Sequence, residues 1–97
     1  MMISAISTEQ RLVFVSGRKI RFFGYDLQLG RGEFDLLRLI AEHSPECTSV
    51  EDITDIGIAP KSLPVMVSTI NKKAAAISGR RLIVSCRGRG YRLNEFM

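Results

Sequence analysis

Residues 87–90 read Arg-Gly-Arg-Gly and place two guanidinium groups on a flexible stretch of backbone, directly before Tyr91. Guanidinium groups bind phosphates and the edges of nucleic-acid bases. Three kinds of segment have this composition: a glycine-rich phosphate-binding loop, a disordered RNA-binding segment and the tip of a β-hairpin. The residues on either side discriminate among them.

The flanking residues favour the hairpin. A phosphate-binding loop opens a helix, so that backbone amides and the helix dipole converge on the anion, whereas only YRLNEFM follows here. A disordered arginine-glycine segment would be repeated, and it would lack the strand-like LIV and YRL that flank this one. The sequence therefore predicts a hairpin with Arg87 and Arg89 at its turn, where the two glycines supply the backbone conformations that tight turns need.

Positive charge is concentrated in the last third of the chain. Residues 1–60 carry a net charge of −3 and residues 61–97 carry +7, which together give the formal +4 of the whole sequence. A cationic block is suited to a polyanion or to an acidic partner. A solvated surface can also be lopsided, so charge alone does not decide between these interpretations.

Length and residue inventory exclude several classes of protein. Ninety-seven residues with 45% hydrophobic content predict one globular domain over 11–97, preceded by an N-terminal tail over 1–10. There is neither a long apolar run nor a signal peptide, so we expect a cytoplasmic chain with no membrane partner. One histidine, no nucleophile motif and no cluster of metal ligands argue against an enzyme, a metal or a cofactor.

The two cysteines form no recognisable motif, since Cys47 and Cys86 stand 39 positions apart. A disulfide between them is compatible with the sequence, but a cytosolic chain keeps its thiols reduced. We therefore predict two ordinary, partly buried thiols, with a redox role as the minor alternative.

The elements that position the arginines follow from hydrophobic periodicity. Alternating apolar and polar residues predict three short strands in an antiparallel meander, at 11–15, 19–23 and 25–29. The period then changes to that of an amphipathic helix over 32–43, which Ser44-Pro45 ends.

Two further helices complete the predicted trio. The second begins near residue 48 or 49, because Thr48 with Glu51 and Ser49 with Asp52 both have capping-box spacing. The third runs from an N-cap at Ser62 to a stop at Ser78-Gly79. Its apolar stripe consists of Leu63, Val67, Ile70, Ala74 and Ile77.

A helical trio followed by a cationic hairpin predicts an α+β fold of the winged helix-turn-helix type. It has a short N-terminal antiparallel sheet, three helices and a C-terminal β-hairpin wing. In this architecture the third helix is the recognition helix for the major groove of DNA. The wing brings arginine to the narrow and electronegative minor groove.

Two segments resemble the effector domain of the OmpR/PhoB-type bacterial transcription factors. They are LGRGEFDLLRLIAEH and LIVSCRGRGYRL, where typical members read L-T-x-x-E-F-x-L-L-x-x-L and V-x-T-V-R-G-x-G-Y-R-L. The resemblance extends over residues 12–94 and implies a DNA-binding transcriptional regulator, often bound to direct repeats as a head-to-tail pair. It also implies that Arg87 lies at the minor groove and that Ser85 contacts a phosphate.

The predicted recognition helix departs from the family pattern. Members usually open it with Arg-Thr-Val-Asp-Val-His, where this chain has Lys-Ser-Leu-Pro-Val-Met over 61–66. Arginine is the residue that reads guanine bidentately, and this helix has none. We expect Asn71 to read adenine, Thr69 to meet a thymine methyl group, and three lysines to hold phosphates. The predicted DNA-binding residues are Lys61, Ser68, Thr69, Asn71, Lys72, Lys73, Ser85, Arg87 and Arg89.

These substitutions predict that DNA affinity depends on the wing and the lysines, with base readout that is weak or biased towards A·T pairs. A second interpretation stays open, in which the domain has kept its fold as a protein-interaction module. It would dock another regulator or RNA polymerase through Val65, Met66 and Thr69. The uncharged helix face favours this interpretation, whereas the cationic block favours DNA.

Two further departures concern the context of the domain. The connection between the second and third helices, which in many members is longer and is proposed to touch RNA polymerase, shrinks here to 57–61. The receiver domain that usually precedes the effector is absent from the sequence. The chain is then either a stand-alone regulator or a piece of a larger one.

Overall fold

The computed structural model describes residues 12–15 and 19–94. The predicted tail over 1–10 and the last three residues of the predicted domain lie outside the described residues. The elements in chain order are β1 (Leu12–Val15), β2 (Lys19–Phe22), β3 (Tyr25–Asp26), α1 (Arg31–His43), β4 (Thr48–Ser49), α2 (Val50–Asp55), α3 (Leu63–Ser78), β5 (Ile83–Cys86) and β6 (Gly90–Leu93).

The N-terminal meander is an antiparallel sheet in the order β1-β2-β3. Its alternation is as predicted, because Ile20 and Phe22 are buried while their neighbours on β2 are exposed. The third strand is shorter than the predicted 25–29. Gln28 has a left-handed φ of +54°, and its N–H donates to the Asp26 carboxylate over 2.9 Å. This local turn replaces the extended backbone that a longer strand would need.

The first two helices begin at side-chain caps. Glu33 accepts a hydrogen bond from the Gly30 N–H over 3.0 Å at the start of α1, one residue earlier than predicted. Ser49 caps α2, because its hydroxyl accepts from the Asp52 N–H over 3.0 Å. Of the two capping pairs that the sequence left open, Ser49 with Asp52 is therefore the one that forms.

Thr48 lies instead in a short strand that the sequence did not predict. β4 pairs with β6, and β6 pairs with β5, so that the second sheet has the order β4-β6-β5. Two residues are too few to show an alternating pattern. The fit against β6 is close, since a Cβ at Gly90 would overlap the carbonyl oxygen of Thr48. Glycine is therefore required at this position for sheet pairing.

The chain enters α3 differently from the prediction. Ser62 directly precedes the first residue of α3, as predicted, but it has helical backbone angles and its side chain makes no capping bond. A 3-10 turn over Pro60–Ser62 leads into the helix, and the Ser62 N–H donates to the Ala59 carbonyl over 3.0 Å. The predicted end is confirmed, because Gly79 follows α3 in the left-handed conformation with a φ of +79°.

The core lies between the three helices and both sheets. From α3, four residues of the predicted stripe are buried and Ile77 packs against them partly buried, while the wing strands add Leu82, Ile83 and Leu93. The predicted fold class is confirmed: an α+β winged helix-turn-helix domain. Within the described part of the chain, no helix is both long and apolar enough to cross a membrane.

Candidate nucleic-acid interface

The wing is the predicted hairpin. β5 and β6 are antiparallel with Ser85 opposite Tyr91, and the turn spans residues 87–89. The Arg89 N–H donates to the Cys86 carbonyl over 2.9 Å, which closes the turn. Gly88 has a φ of +65°, a conformation that favours glycine. Arg87 and Arg89 therefore flank Gly88 at the tip of the turn, and both are exposed.

A disulfide ties the base of this turn to the rest of the domain. Cys47 and Cys86 are bonded, with 6.4 Å between their Cα atoms, so the prediction of two separate thiols is wrong. The separation of 39 positions in sequence conceals their proximity. Ser49 and Cys86 both pair with Gly90, so the ends of β4 and β5 lie at the same level of the sheet, on either side of β6.

The two wing arginines differ in their surroundings. A groove between the wing and the start of α2 contains the disulfide, and Arg89 is among the residues that line it. Glu46 and Glu51 line the same groove from the other side, whereas Arg87 does not belong to its lining. The lining of the groove beside Arg89 therefore includes charges of both signs.

The surface of α3 carries several of the predicted DNA-binding residues. Ser68 and Lys72 are exposed on the face opposite the core stripe, and Thr69 is half-buried beside them. Lys61 is exposed in the 3-10 turn before the helix. Ser85 is exposed on β5, close to the wing turn. Four of these five positions are thus exposed, and Thr69 is partly exposed.

Asn71 has a different position from the one its predicted role requires. Its Oδ1 accepts hydrogen bonds from the backbone N–H groups of Leu82 and Ile83, over 2.9 and 2.8 Å, and its Nδ2 donates to the Ile83 carbonyl over 3.0 Å. A bidentate contact to adenine needs the same Oδ1 as acceptor and the same amide as donor. This corrects the expectation that Asn71 is available to read adenine: it joins α3 to the start of β5.

Lys73 is also engaged within the domain. Its Nζ donates to the Gln28 carbonyl over 2.6 Å and lies 3.6 Å from Glu33 Oε1. These contacts fasten α3 to the segment that leads into α1. The lysine next to it, Lys72, is exposed. Lys73 is therefore less available to a phosphate than the sequence predicts.

Sequence reasoning did not place Val65 among the DNA-binding residues. Its side chain is 67% exposed in the first turn of α3, on the same side of the helix as Ser68, Thr69 and Lys72. The signal was its absence from the apolar stripe of the helix. Met66, its neighbour, is half-buried, and its terminal methyl lies close to Gly32 of α1.

The described residues include no group of three or more histidine, cysteine or acidic side chains that could hold a metal ion. The chemistry available at this surface is that of guanidinium, ammonium, hydroxyl and methyl groups. These groups recognise phosphates and base edges.

An exposed third helix beside a hairpin with arginine at its turn defines a winged helix-turn-helix domain, and known proteins share it. The DNA-binding domain of CpxR from E. coli is 26% identical, with 96% of each chain covered and a TM-score of 0.74. The DNA-binding domain of RstA from Klebsiella pneumoniae, solved in complex with the RstA box, is 18% identical, with 98% of this chain and 99% of that one covered and a TM-score of 0.76.

The transcriptional regulatory protein PrrA of Mycobacterium leprae is 32% identical over 85 residues, which are 81% of this chain and 36% of that protein. PrrA of Mycobacterium tuberculosis is 31% identical over the same length. The chain thus spans about a third of the length of the curated relatives it matches. No protein-family model matches it. The fold of this chain is that of the OmpR/PhoB-type winged-helix domains, as the sequence resemblance implies.

Proposed function

We propose that this domain binds double-stranded DNA as the effector part of a bacterial transcriptional regulator. In this proposal α3 enters the major groove and the wing lies at the minor groove. The observation that carries it is the turn of the wing, where two exposed arginines stand at the tip of a braced hairpin. RstA bound to its RstA box and the DNA-binding domain of CpxR have the same fold, which supports the proposal.

Phosphate neutralisation supplies most of the affinity in this proposal. The groups for it are Arg87 and Arg89 on the wing, Lys61 before α3 and Lys72 on its exposed face, with the Ser85 hydroxyl as an uncharged contact. Each neutralised phosphate releases condensed counterions, so binding weakens steeply as salt rises. Lys73 contributes less than its charge implies, because Gln28 and Glu33 already engage its ammonium group.

The remaining parts of the proposal concern the assembled regulator. On direct-repeat DNA, two copies bind head to tail, as the family resemblance implies. The domain acts by occupying a promoter, and it performs no catalysis. The short connection over 56–62 between α2 and α3 offers little surface for RNA polymerase.

A second candidate function is a protein-interaction module that docks another regulator or RNA polymerase through α3. The exposed Val65 favours it, since large apolar side chains at a surface can mark a docking site. Met66 and Thr69, which the sequence analysis assigned to the same docking surface as Val65, are only partly exposed. The apolar area is therefore small beside the cationic surface of the wing, and DNA stays the leading partner.

The test is an amide-shift titration of the ¹⁵N-labelled protein with a generic DNA duplex, at low and at physiological salt. We expect shifts confined to residues 61–72 and 85–92 that weaken steeply with salt. Arg87→Glu, a charge reversal on an exposed side chain, is the matched variant and should abolish most of the low-salt shifts. Silence of the folded wild-type protein at both salts would retire DNA and favour a protein partner for α3.

A further inference from the structure

We propose that α3 selects thymine-rich DNA by contacting thymine methyl groups with Val65 and with the methyl group of Thr69. This inference rests on the proposed function and names the base that the helix reads. Two of the predicted DNA-binding residues on α3 are already engaged within the domain. Asn71 bonds the backbone of Leu82 and Ile83, and Lys73 contacts Gln28 and Glu33.

The groups that remain on the exposed face of α3 are mostly apolar or small. Val65 lies in the first turn of the helix and exposes 67% of its side chain. In helix-turn-helix proteins the N-terminal residues of the recognition helix contact the base edges. The major groove offers one apolar group to such a side chain, the C5-methyl of thymine. An exposed valine at this position is therefore matched to thymine and to no other standard base.

Thr69 adds a second methyl group one turn further along the helix. Its hydroxyl donates to the carbonyl of Val65 over 3.0 Å, so its proton is used within the helix. The hydrogen bond holds the hydroxyl against the preceding turn and leaves the Cγ2 methyl as the other branch of the side chain. Residues four apart are neighbours on a helix surface, so Val65 and Thr69 form a short apolar strip.

Polar groups lie next to this strip. Ser68 is exposed beside it, and its hydroxyl can donate to or accept from any base. Lys72 is exposed one turn beyond Ser68 and provides a charge for a phosphate. The strip therefore supplies the selectivity and these neighbours supply affinity without choosing a base.

The size of the effect follows from the area of a methyl group. Burial of one methylene-sized group corresponds to about fourfold in affinity. Contact with one or two thymine methyl groups therefore predicts discrimination of about 4-fold to 15-fold. This is a modest preference, consistent with a helix that lacks arginine.

The experiment replaces thymine by deoxyuridine, which lacks only the C5-methyl group and forms the same base pair. A duplex obtained by binding-site selection is made with thymine and with uracil at the positions under α3, and affinities are measured by fluorescence anisotropy. We expect the wild-type protein to bind the uracil duplex about 4-fold to 15-fold more weakly. In Val65→Ala, the logarithm of the ratio of thymine-duplex to uracil-duplex affinity should fall to about half of its wild-type value or less. The isosteric Val65→Thr should lower this ratio less than Val65→Ala does.

Lys72→Ala and Arg87→Ala are the matched controls, because they should weaken both duplexes by the same factor and keep the ratio. Val65 is exposed, so its variants should retain the wild-type unfolding midpoint, which is measured alongside. Equal affinity of the wild type for both duplexes, or an unchanged ratio in Val65→Ala, overturns the inference and leaves the proposed function intact. Failure to bind either duplex removes the proposed function itself.

Discussion

The exposed face of α3 and the turn of the wing differ both in charge and in how they are held in place. α3 is a regular helix whose apolar stripe packs in the core. The charged residue on its exposed face is Lys72. The wing places two arginines on a three-residue turn that is braced by sheet pairing and by a disulfide. The comparison indicates different roles in the proposed DNA binding. The wing provides electrostatic affinity, and the helix provides a surface that fits the major groove with a mild base preference.

The two surfaces are nevertheless tied to each other. Asn71 joins the middle of α3 to the start of β5 through three hydrogen bonds. The disulfide joins the other end of β5 to the segment before β4. The relative position of helix and wing thus depends on contacts at both ends of one strand.

The largest expected effect comes from breaking the disulfide. It closes a loop of 39 positions, and the loss of such a constraint raises the entropy of the unfolded chain. Replacing both cysteines in Cys47→Ser/Cys86→Ser should lower the free energy of unfolding by about 3 to 4 kcal/mol. Urea unfolding of wild type with and without a dithiol reductant measures the same quantity, and the double variant should not respond to the reductant. A wild-type unfolding curve that is the same with and without the reductant would contradict the disulfide between Cys47 and Cys86.

Asn71→Ala should be the next most damaging change. It leaves the backbone N–H groups of Leu82 and Ile83 and the Ile83 carbonyl without their partner, at a cost of about 2 to 3 kcal/mol in the free energy of unfolding. Asn71→Asp is the matched control, because it keeps the acceptor for both N–H groups while it replaces the donor by a carboxylate oxygen that faces the Ile83 carbonyl. It should retain part of the stability. If Asn71→Ala instead unfolds like wild type and loses DNA affinity, Asn71 acts as the sequence first predicted.

Arg87→Ala sharpens the contrast between helix and wing. We expect DNA affinity to fall about tenfold at low salt, and the slope of log affinity against log salt to decrease by about one. Arg89→Ala should have a smaller effect, because Glu46 and Glu51 line the same groove as Arg89. Arg21→Ala, which changes an exposed arginine of the N-terminal sheet, is the control and should leave affinity unchanged. Equal losses in all three variants would indicate a net-charge effect without a defined wing contact.

The smallest effects distinguish two neighbouring lysines. Lys72→Ala should weaken DNA binding about threefold with no change in stability, because its ammonium group is exposed. Lys73→Ala should have little effect on DNA binding and should lower the free energy of unfolding by at most about 1 kcal/mol, since its ion pair is partly exposed. Anisotropy titrations and urea curves of both variants test this, and the reverse pattern would contradict the assignment.

The sequence alone determined the order of the elements apart from β4, the apolar faces of the helices and the hairpin around residues 87–90. Periodicity records which side of an element faces the core, and glycine records where the backbone turns, as at Gly79 and Gly88. The motif R-G-x-G-Y-R added the family. These signals are local, so they can be read along the chain without knowledge of what lies opposite.

Only the tertiary structure decided which polar and sulfur atoms meet. Asn71 finds its partners 11 and 12 positions away, Lys73 finds the Gln28 carbonyl 45 positions away, and the cysteines meet because β6 pairs with both β4 and β5. A short polar side chain on a helix has the same sequence signature whether it faces DNA or a neighbouring strand. The packing of the other elements decides which partner such a side chain finds. For that reason only the tertiary structure shows which residues of α3 are left exposed.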